Sequence, residues 1–528
     1  VTYVDPDATG DGDGSSWRDA YTTLQDALPG PGEGPVGIWV ADGTYTPGTT
    51  RDASFTITGA QDGTQIYGGF DGGETALSER DPVAHPAVLS GDVDGDGTPS
   101  GNSYHVLTFD GVSNGSISSE TILDGFTVTG GNANGGAPND VGGGLFCDGS
   151  GSGNACNPTL RRLVFTNHQA DKGAALYADG SNGGTANPQV RSAVFAGNTA
   201  TARGGAVYNN GDGGTSSPQI ASAVFAGNTA ITGGAVYNDG NNSGESSPSI
   251  IGVTFAGNTA SDQGGALYNF GSNFGVSNPG ITNSILWGNA ASNGGAAIYN
   301  NVAVPTLQYT LIEDGVNGSG VGGDANTDNG NNLSTDPLFI APSDLDGPDD
   351  RFGTPDDGVF LKDGSPALNA GDDRSVPGGV TSDAVGNERI QDGRVDLGGL
   401  EGSVNPVPRY YVDATASGSD TGTSWTDAFT TLQDALTAAT GEDEIWIATG
   451  TYTPGTSREA SFTINGTQNG LKIYGGFAGG ETELSARDPE ANEVILSGDL
   501  NGDDQDTSGD GIPDTNTGEN SYHVLVFD

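Results

Sequence analysis

Apolar residues along this chain come in runs of three to five, closed by glycine, asparagine, serine or threonine. That spacing predicts short strands joined by turns and leaves little room for long helices. From Val164 to Asn300 the runs fall into a repeat of about 30 residues. The consensus copy reads Val-Phe-Ala-Gly-Asn-Thr-Ala, then Gly-Gly-Ala-Val-Tyr-Asn, then a variable Gly/Asn/Ser run closed by proline. The apolar anchor recurs at Phe165, Phe195, Phe225, Phe255 and Leu286, the asparagine at Asn198, Asn228, Asn258 and Asn289, and the proline at Pro158, Pro188, Pro218, Pro248 and Pro279.

A unit of that length divides into three short strands and three turns, one coil of a parallel β-helix. The expected fold class is all-β, a solenoid that stacks Phe on Phe and Asn on Asn at the strand spacing of roughly 4.8 Å. Ile250 and Phe255 are five residues apart, so strict alternation would set them on opposite faces. A turn or bulge must separate them if both face the core. The doublets Gly142-Gly143, Gly204-Gly205, Gly233-Gly234, Gly264-Gly265 and Gly294-Gly295 predict tight corners where φ is positive or a side chain would strike the next coil.

Ser16 is placed to cap a helix from Trp17 to Leu28, whose stripe of Trp17, Ala20, Tyr21, Leu24, Ala27 and Leu28 would cover the open edge of the first coil. The chain then partitions into a cap (1–35), irregular coils (36–141), regular coils (142–312), a C-terminal closure (313–401) and a linker (402–408). At Tyr411-Val412-Asp413 the opening Tyr3-Val4-Asp5 begins again, and Trp425 with Thr431 to Leu436 repeats Trp17 with Thr23 to Leu28. Residues 409–528 are thus expected to be the N-terminal part of a second homologous module.

Charge narrows the functions. With 68 acidic against 17 basic residues the formal charge is -51, which argues against nucleic acid or anionic lipid as a partner. The same excess suits a surface solvated in strong salt, where charges are screened within roughly 3 Å at molar concentration. Glycine is abundant at 91 residues but has no three-residue period, which excludes collagen. No apolar run approaches the length of a membrane span, so no membrane insertion is expected of this piece, and the absence of methionine suggests a fragment or processed product. Cys147 and Cys156, nine apart in a polar loop without a neighbouring histidine, predict a disulfide and an oxidising, extracytoplasmic compartment.

The candidate chemistry lies in Asp/Gly loops. Asp92, Asp94 and Asp96 alternate around Gly95, the arrangement by which calcium loops gather hard oxygen ligands. The second module has a longer counterpart, with Asp506, Asp510 and Asp514 as the expected ligands and structural calcium as the expected cofactor. Gly10 to Gly14 offers fewer carboxylates. Arg161, Arg162, Arg191 and Arg203 lie near the regular coils without recurring as a ladder, and a uronate polymer would meet like-charge repulsion. His85, His105, His168 and His523 stand alone in sequence, and His105 and His523 share one position in the two modules, which suits packing.

Tyr3-Val4-Asp5, Ser16-Trp17, the Thr23-to-Leu28 phrase and Ile66-Tyr67-Gly68-Gly69-Phe70 resemble large bacterial surface proteins of the right-handed parallel β-helix superfamily. The Gly-Gly-Ala and Phe-x-Gly-Asn phrases are similar to repeats of chlamydial polymorphic outer-membrane proteins. Asp336-Pro337-Leu338-Phe339, Ser365-Pro366 and Asn369-Ala370-Gly371 resemble the end of such modules, with Gly398-Gly399-Leu400-Glu401 departing from the usual closing phrase. Asp510-Gly511-Ile512-Pro513-Asp514 resembles thrombospondin-type calcium repeats, and the acidity resembles proteins of extreme halophiles. The resemblance implies a non-enzymatic structural or adhesive protein, extracellular or at the cell surface and able to form filaments. Its partners would be neighbouring modules, copies of itself or surface glycans. The alternative is an extracellular protein of the same fold that binds or cleaves carbohydrate.

Overall fold

The computed structural model describes residues 1–30, 33–391, 393–402, 409–441, 443–481, 484–505, 515 and 517–528. The chain divides into two compact units, Val1–Val404 and Asn405–Asp528. The first is the expected all-β parallel β-helix. A regular coil has a long strand, a short strand and a third strand, as in Gln189–Ala196, Thr199–Arg203 and Val207–Asn210. Each strand pairs in parallel with its equivalent one coil on, building sheets of 15, 6 and 9 strands.

Register follows the repeat. Phe165, Phe195, Phe225, Phe255 and Leu286 are direct partners along the long-strand sheet. The phenylalanine rings stack inside the core with centroids 5.1, 4.6 and 4.9 Å apart. Ile250 and Phe255 both point inward because Gly252 between them has φ of 61°. The same bulge recurs at Arg162, Ser192, Ser222 and Asn283, with φ of 50 to 52°. It resets the alternation in each long strand.

Two asparagine ladders hold the coils in register. Asn198, Asn228 and Asn258 each donate from Nδ2 to the Oδ1 of the next asparagine at 2.9 Å, and from the same atom to the carbonyls of Phe165, Phe195 and Phe225. A second ladder joins Asn209, Asn238, Asn269, Asn300 and Asn326 at 2.8 to 2.9 Å. These buried amides thereby satisfy polar groups that would otherwise cost about 1–3 kcal/mol each. Tyr177, Tyr208, Tyr237, Tyr268 and Tyr299 stack along the outside of the third sheet at 4.9 to 5.2 Å. The glycine corners explain why Gly and Tyr travel together. A Cβ on Gly173, where φ is 55°, would stand 2.4 Å from the Leu176 carbonyl and 2.9 Å from the Tyr208 Cβ.

Two expectations need correction. The N-terminal helix is only Leu24–Ala27, capped by Thr23, which accepts from the Asp26 N–H. Ser16 instead receives the Asp19 N–H in a turn, and Tyr21 bridges to Val4 as an extended residue. Trp17 leaves the supposed helical stripe because the outer face of the sheet offers it Tyr3, Trp39 and Phe70 at 4.7, 6.4 and 5.4 Å, with its indole N–H bonded to the Glu74 carbonyl.

The second correction concerns the segment read as a closure. Val321–Gly323 and Thr327–Asp328 still add strands to the stack. Beyond them the chain runs back along the outer face of the long-strand sheet as a strap. Phe339, Phe360, Leu361, Leu397 and Leu400 pack there on Val194, Ala196, Val224, Ala226 and Ile285. The Gly399 N–H donates to Thr254 Oγ1 at 2.9 Å, Asn283 exchanges two bonds with the Asp372 backbone, and Ser192 donates to the Ser382 carbonyl. A buried Arg389–Glu401 ion pair lies within the strap.

The second unit repeats the first in its own frame. Arg409–Val412, Glu444–Ala448 and Lys472–Phe477 pair in parallel, and its helix is Leu432–Ala438. Trp446 stacks on Phe477 at 4.5 Å as Trp39 does on Phe70 at 4.7 Å. Trp425 bonds the Glu481 carbonyl as Trp17 bonds that of Glu74.

Candidate functional site

The most distinctive chemistry lies on the outer face of the long-strand sheet, beneath the end of the strap. Tyr67, Asp124, Arg161 and Arg191 are successive register partners there. The bulge then acts on this ladder. In a regular strand Arg161 and Arg162 would point to opposite faces; with Arg162 at φ of 50°, both reach Asp124. Arg162 donates from Nε to Asp124 Oδ1 at 2.8 Å and from Nη2 to Oδ2 at 2.9 Å. Arg161 donates through its own Nε. Arg80, from the loop between two early strands, closes the group with Nη2 at 2.8 Å from Asp124 and Nη1 bonded to the Gly68 carbonyl.

Asp124 is fully buried. Burial raises its pKa, but the Arg162 hydrogen bonds and the charges of Arg80, Arg162 and Arg161 outweigh that and hold it below the usual carboxylate range. Three guanidiniums meet on one carboxylate here, in a chain of net charge -51, and Glu79 and Asp81 flank Arg80 in the same loop. Beside the group is a cavity of about 430 Å³, walled by the 79–86 loop, by Thr127, Arg162 and Val164, and by the strap at Arg351 to Thr354 and Ala384 to Gly386.

In sequence Arg161, Arg162, Arg191 and Arg203 do not recur as a ladder. The structure brings the first three into one neighbourhood and places Arg203 on another sheet, its guanidinium 5.3 Å from the Tyr237 ring centre. Arg80 was not among the candidates, since nothing near it in sequence marks the loop as a lid over Asp124.

Asp92, Asp94 and Asp96 do converge, offering carboxylate oxygens within 4.8 Å of one another. Asp92 accepts the Gly95 and Gly97 N–H groups at 2.9 and 3.1 Å, and Asp96 accepts that of Thr98 at 2.7 Å. Three hard oxygens on a glycine turn fit calcium as a partial ligand set. Asp506, Asp510 and Asp514 lie outside the described residues. The described part of that loop gathers Asp499, Asp503, Asp504 and Glu519 within the same 4.8 Å limit. A third group, Asp42, Asp71 and His85, joins residues far apart in sequence. Cys147 and Cys156 form a disulfide, with Cα atoms 5.8 Å apart and both residues inside the core.

Comparison with known proteins adds one family signal. Residues 192–210 and 252–269 match the model of the Chlamydia polymorphic membrane protein repeat. These segments contain the bulge, the Asn198 and Asn258 positions and the glycine corners. No curated protein matches. Among solved structures, pectate lyase Pel9A is similar with a TM-score of 0.42 and 15% identity, over 76% of this chain and 96% of that one. The alginate lyase AlyGC of family PL6 has a TM-score of 0.18 and 13% identity, over 85% of this chain and 67% of that one.

Proposed function

We propose that this chain is a structural or adhesive part of a bacterial surface protein built from tandem β-helix modules. The observation that carries the reading is the sameness of the coils. From Asn198 to Asn300 the inward and corner positions are filled by Phe, Asn and Gly groups engaged with their counterparts one coil away. Such a stack is a stiff shaft that lengthens by adding units. The match to a repeat of polymorphic membrane proteins supports association with an outer membrane or cell surface.

In this reading the second unit belongs to another bead of the same kind, with calcium in the Asp92 and Asp499 loops as a structural ion. The disulfide agrees with an oxidising compartment, and the acidity with a saline one. The direct test is immunolabelling of intact source cells with antibody raised against residues 142–312. Labelling that is lost after protease shaving of intact cells is expected. Signal only after permeabilisation would refute the surface assignment.

A further inference from the structure

We infer that the cavity beside Asp124 binds a ring-sized organic carboxylate, with Arg162 and Arg351 holding its charged end. This inference is independent of the surface role. Its first ground is charge. Arg80, Arg161 and Arg162 converge on a single carboxylate, and the side chain of Arg80 is only 3% exposed. Asp124 balances the buried Arg80, while Arg161 and Arg162 keep 33% and 39% of their side chains exposed, so their charge is open to an anion from solvent. Glu79 and Asp81 also line the cavity, with carboxylates turned to backbone N–H groups: Glu79 accepts those of Thr75 and Ala76 at 2.7 and 3.0 Å, and Asp81 those of Val83 and Ala84 at 3.0 and 3.1 Å.

The second ground is shape. A volume of about 430 Å³ exceeds what an inorganic ion needs, since a water molecule takes about 30 Å³. Pro82, Val83, Val164, Phe352 and Val385 supply apolar wall between the arginines. A ligand matching both halves has one oxyanion and a compact ring. A carboxylate suits the planar fork of Arg351, which can bond it with two parallel N–H groups, while Arg162, whose Nε and Nη2 hold Asp124, adds its charge and Nη1. Arg162, with its side chain 39% exposed, and exposed Arg351 are the accessible cations.

The test is calorimetric titration of the whole chain at low ionic strength with sodium glucuronate, sodium benzoate, glucose and sodium sulfate. Saturable binding of glucuronate or benzoate is expected, with glucose silent and sulfate at least about tenfold weaker, the equivalent of one good charged hydrogen bond. Preference between the two carboxylates tells a sugar acid from an aromatic acid. Arg351→Gln leaves the Asp124 group intact and should weaken binding about tenfold, and Arg162→Gln at least as much, with circular dichroism confirming the fold. Silence of both carboxylates, equal binding of sulfate or glucose, or an unchanged affinity in folded Arg351→Gln would each overturn the inference.

Discussion

His168 stands three residues after Phe165, where Asn198, Asn228 and Asn258 stand after their own phenylalanines, and it works as an asparagine in imidazole form. Its Nδ1 accepts the Gly131 N–H at 3.0 Å, so the ring proton sits on Nε2, which donates to the Val128 carbonyl at 2.9 Å. An asparagine amide makes the same two contacts elsewhere in the ladder. Protonation would put a second donor against an N–H, and burial holds the pKa at about 3 instead of 6.5. The unfolded chain takes up this proton as pH falls through 6.5, whereas the folded chain does not until about 3. The stabilising share of His168 is therefore full above 6.5 and is lost towards pH 3, at up to about 1.4 kcal/mol per pH unit. Asp357 and Asp383, raised by burial to about 7 and 6, act in the opposite sense, stability rising as pH falls through those values. His168→Asn keeps both carboxylates, so the difference between variant and parent isolates the histidine. In denaturant titrations the variant should hold its stability at pH 8 and lose less than the parent between pH 6.5 and 4; parallel curves would refute the tautomer argument.

At the scale of the element, the coils were legible in the sequence and the strap was not. Phe, Asn and Gly recur because each must meet its own kind one coil away, so period and spacing disclose the ladders. The bulge was legible from the five-residue gap between Ile250 and Phe255, but not its chemical use, because Arg161 and Arg162 acquire a common target only when Asp124 arrives from the preceding coil. The strap leaves one signal in the sequence. Val194 and Val224 alternate with Phe195 and Phe225, so both faces of these strands are apolar, the mark of a sheet covered on both sides. The stripe at 17–28 misled because Trp17 serves an outer aromatic cluster while Leu24 serves the core. The Asp92 loop is legible as a turn from its alternating aspartates and glycines. If calcium joins Asp92, Asp94 and Asp96, millimolar calcium should raise the melting temperature of the chain over that in chelator by a few degrees, and Asp92→Asn with Asp96→Asn should reduce the rise. Equal melting of the parent chain with calcium and with chelator would remove calcium from these loops.

For the whole molecule the governing quantity is charge, and the solenoid makes its effect local as well as global. A parallel stack repeats whatever a position carries, so an acidic position becomes a row of like charges at the strand spacing of about 4.8 Å. Asp148 is the register partner of Asp179, and the next two residues in that row are Asn210 and Asp239. The Asp179 pKa is raised, first by burial and further by Asp148, while Asn210 donates to its Oδ1 at 2.9 Å. Rows of this kind, and the net charge of -51, cost the folded state more than the expanded chain, in which carboxylates move apart. Salt relieves that cost by shortening the screening length from roughly 10 Å at 0.1 M to roughly 3 Å at 1 M, which falls below the coil spacing. The melting temperature should therefore climb steeply with potassium chloride between 0.05 and about 1 M and flatten once screening acts within one coil. Asp148→Asn with Asp239→Asn, by thinning one row, should raise the melting temperature in dilute buffer and change it little in molar salt. A parent curve that is flat across this range would show that the like-charge rows do not limit the stability of the stack.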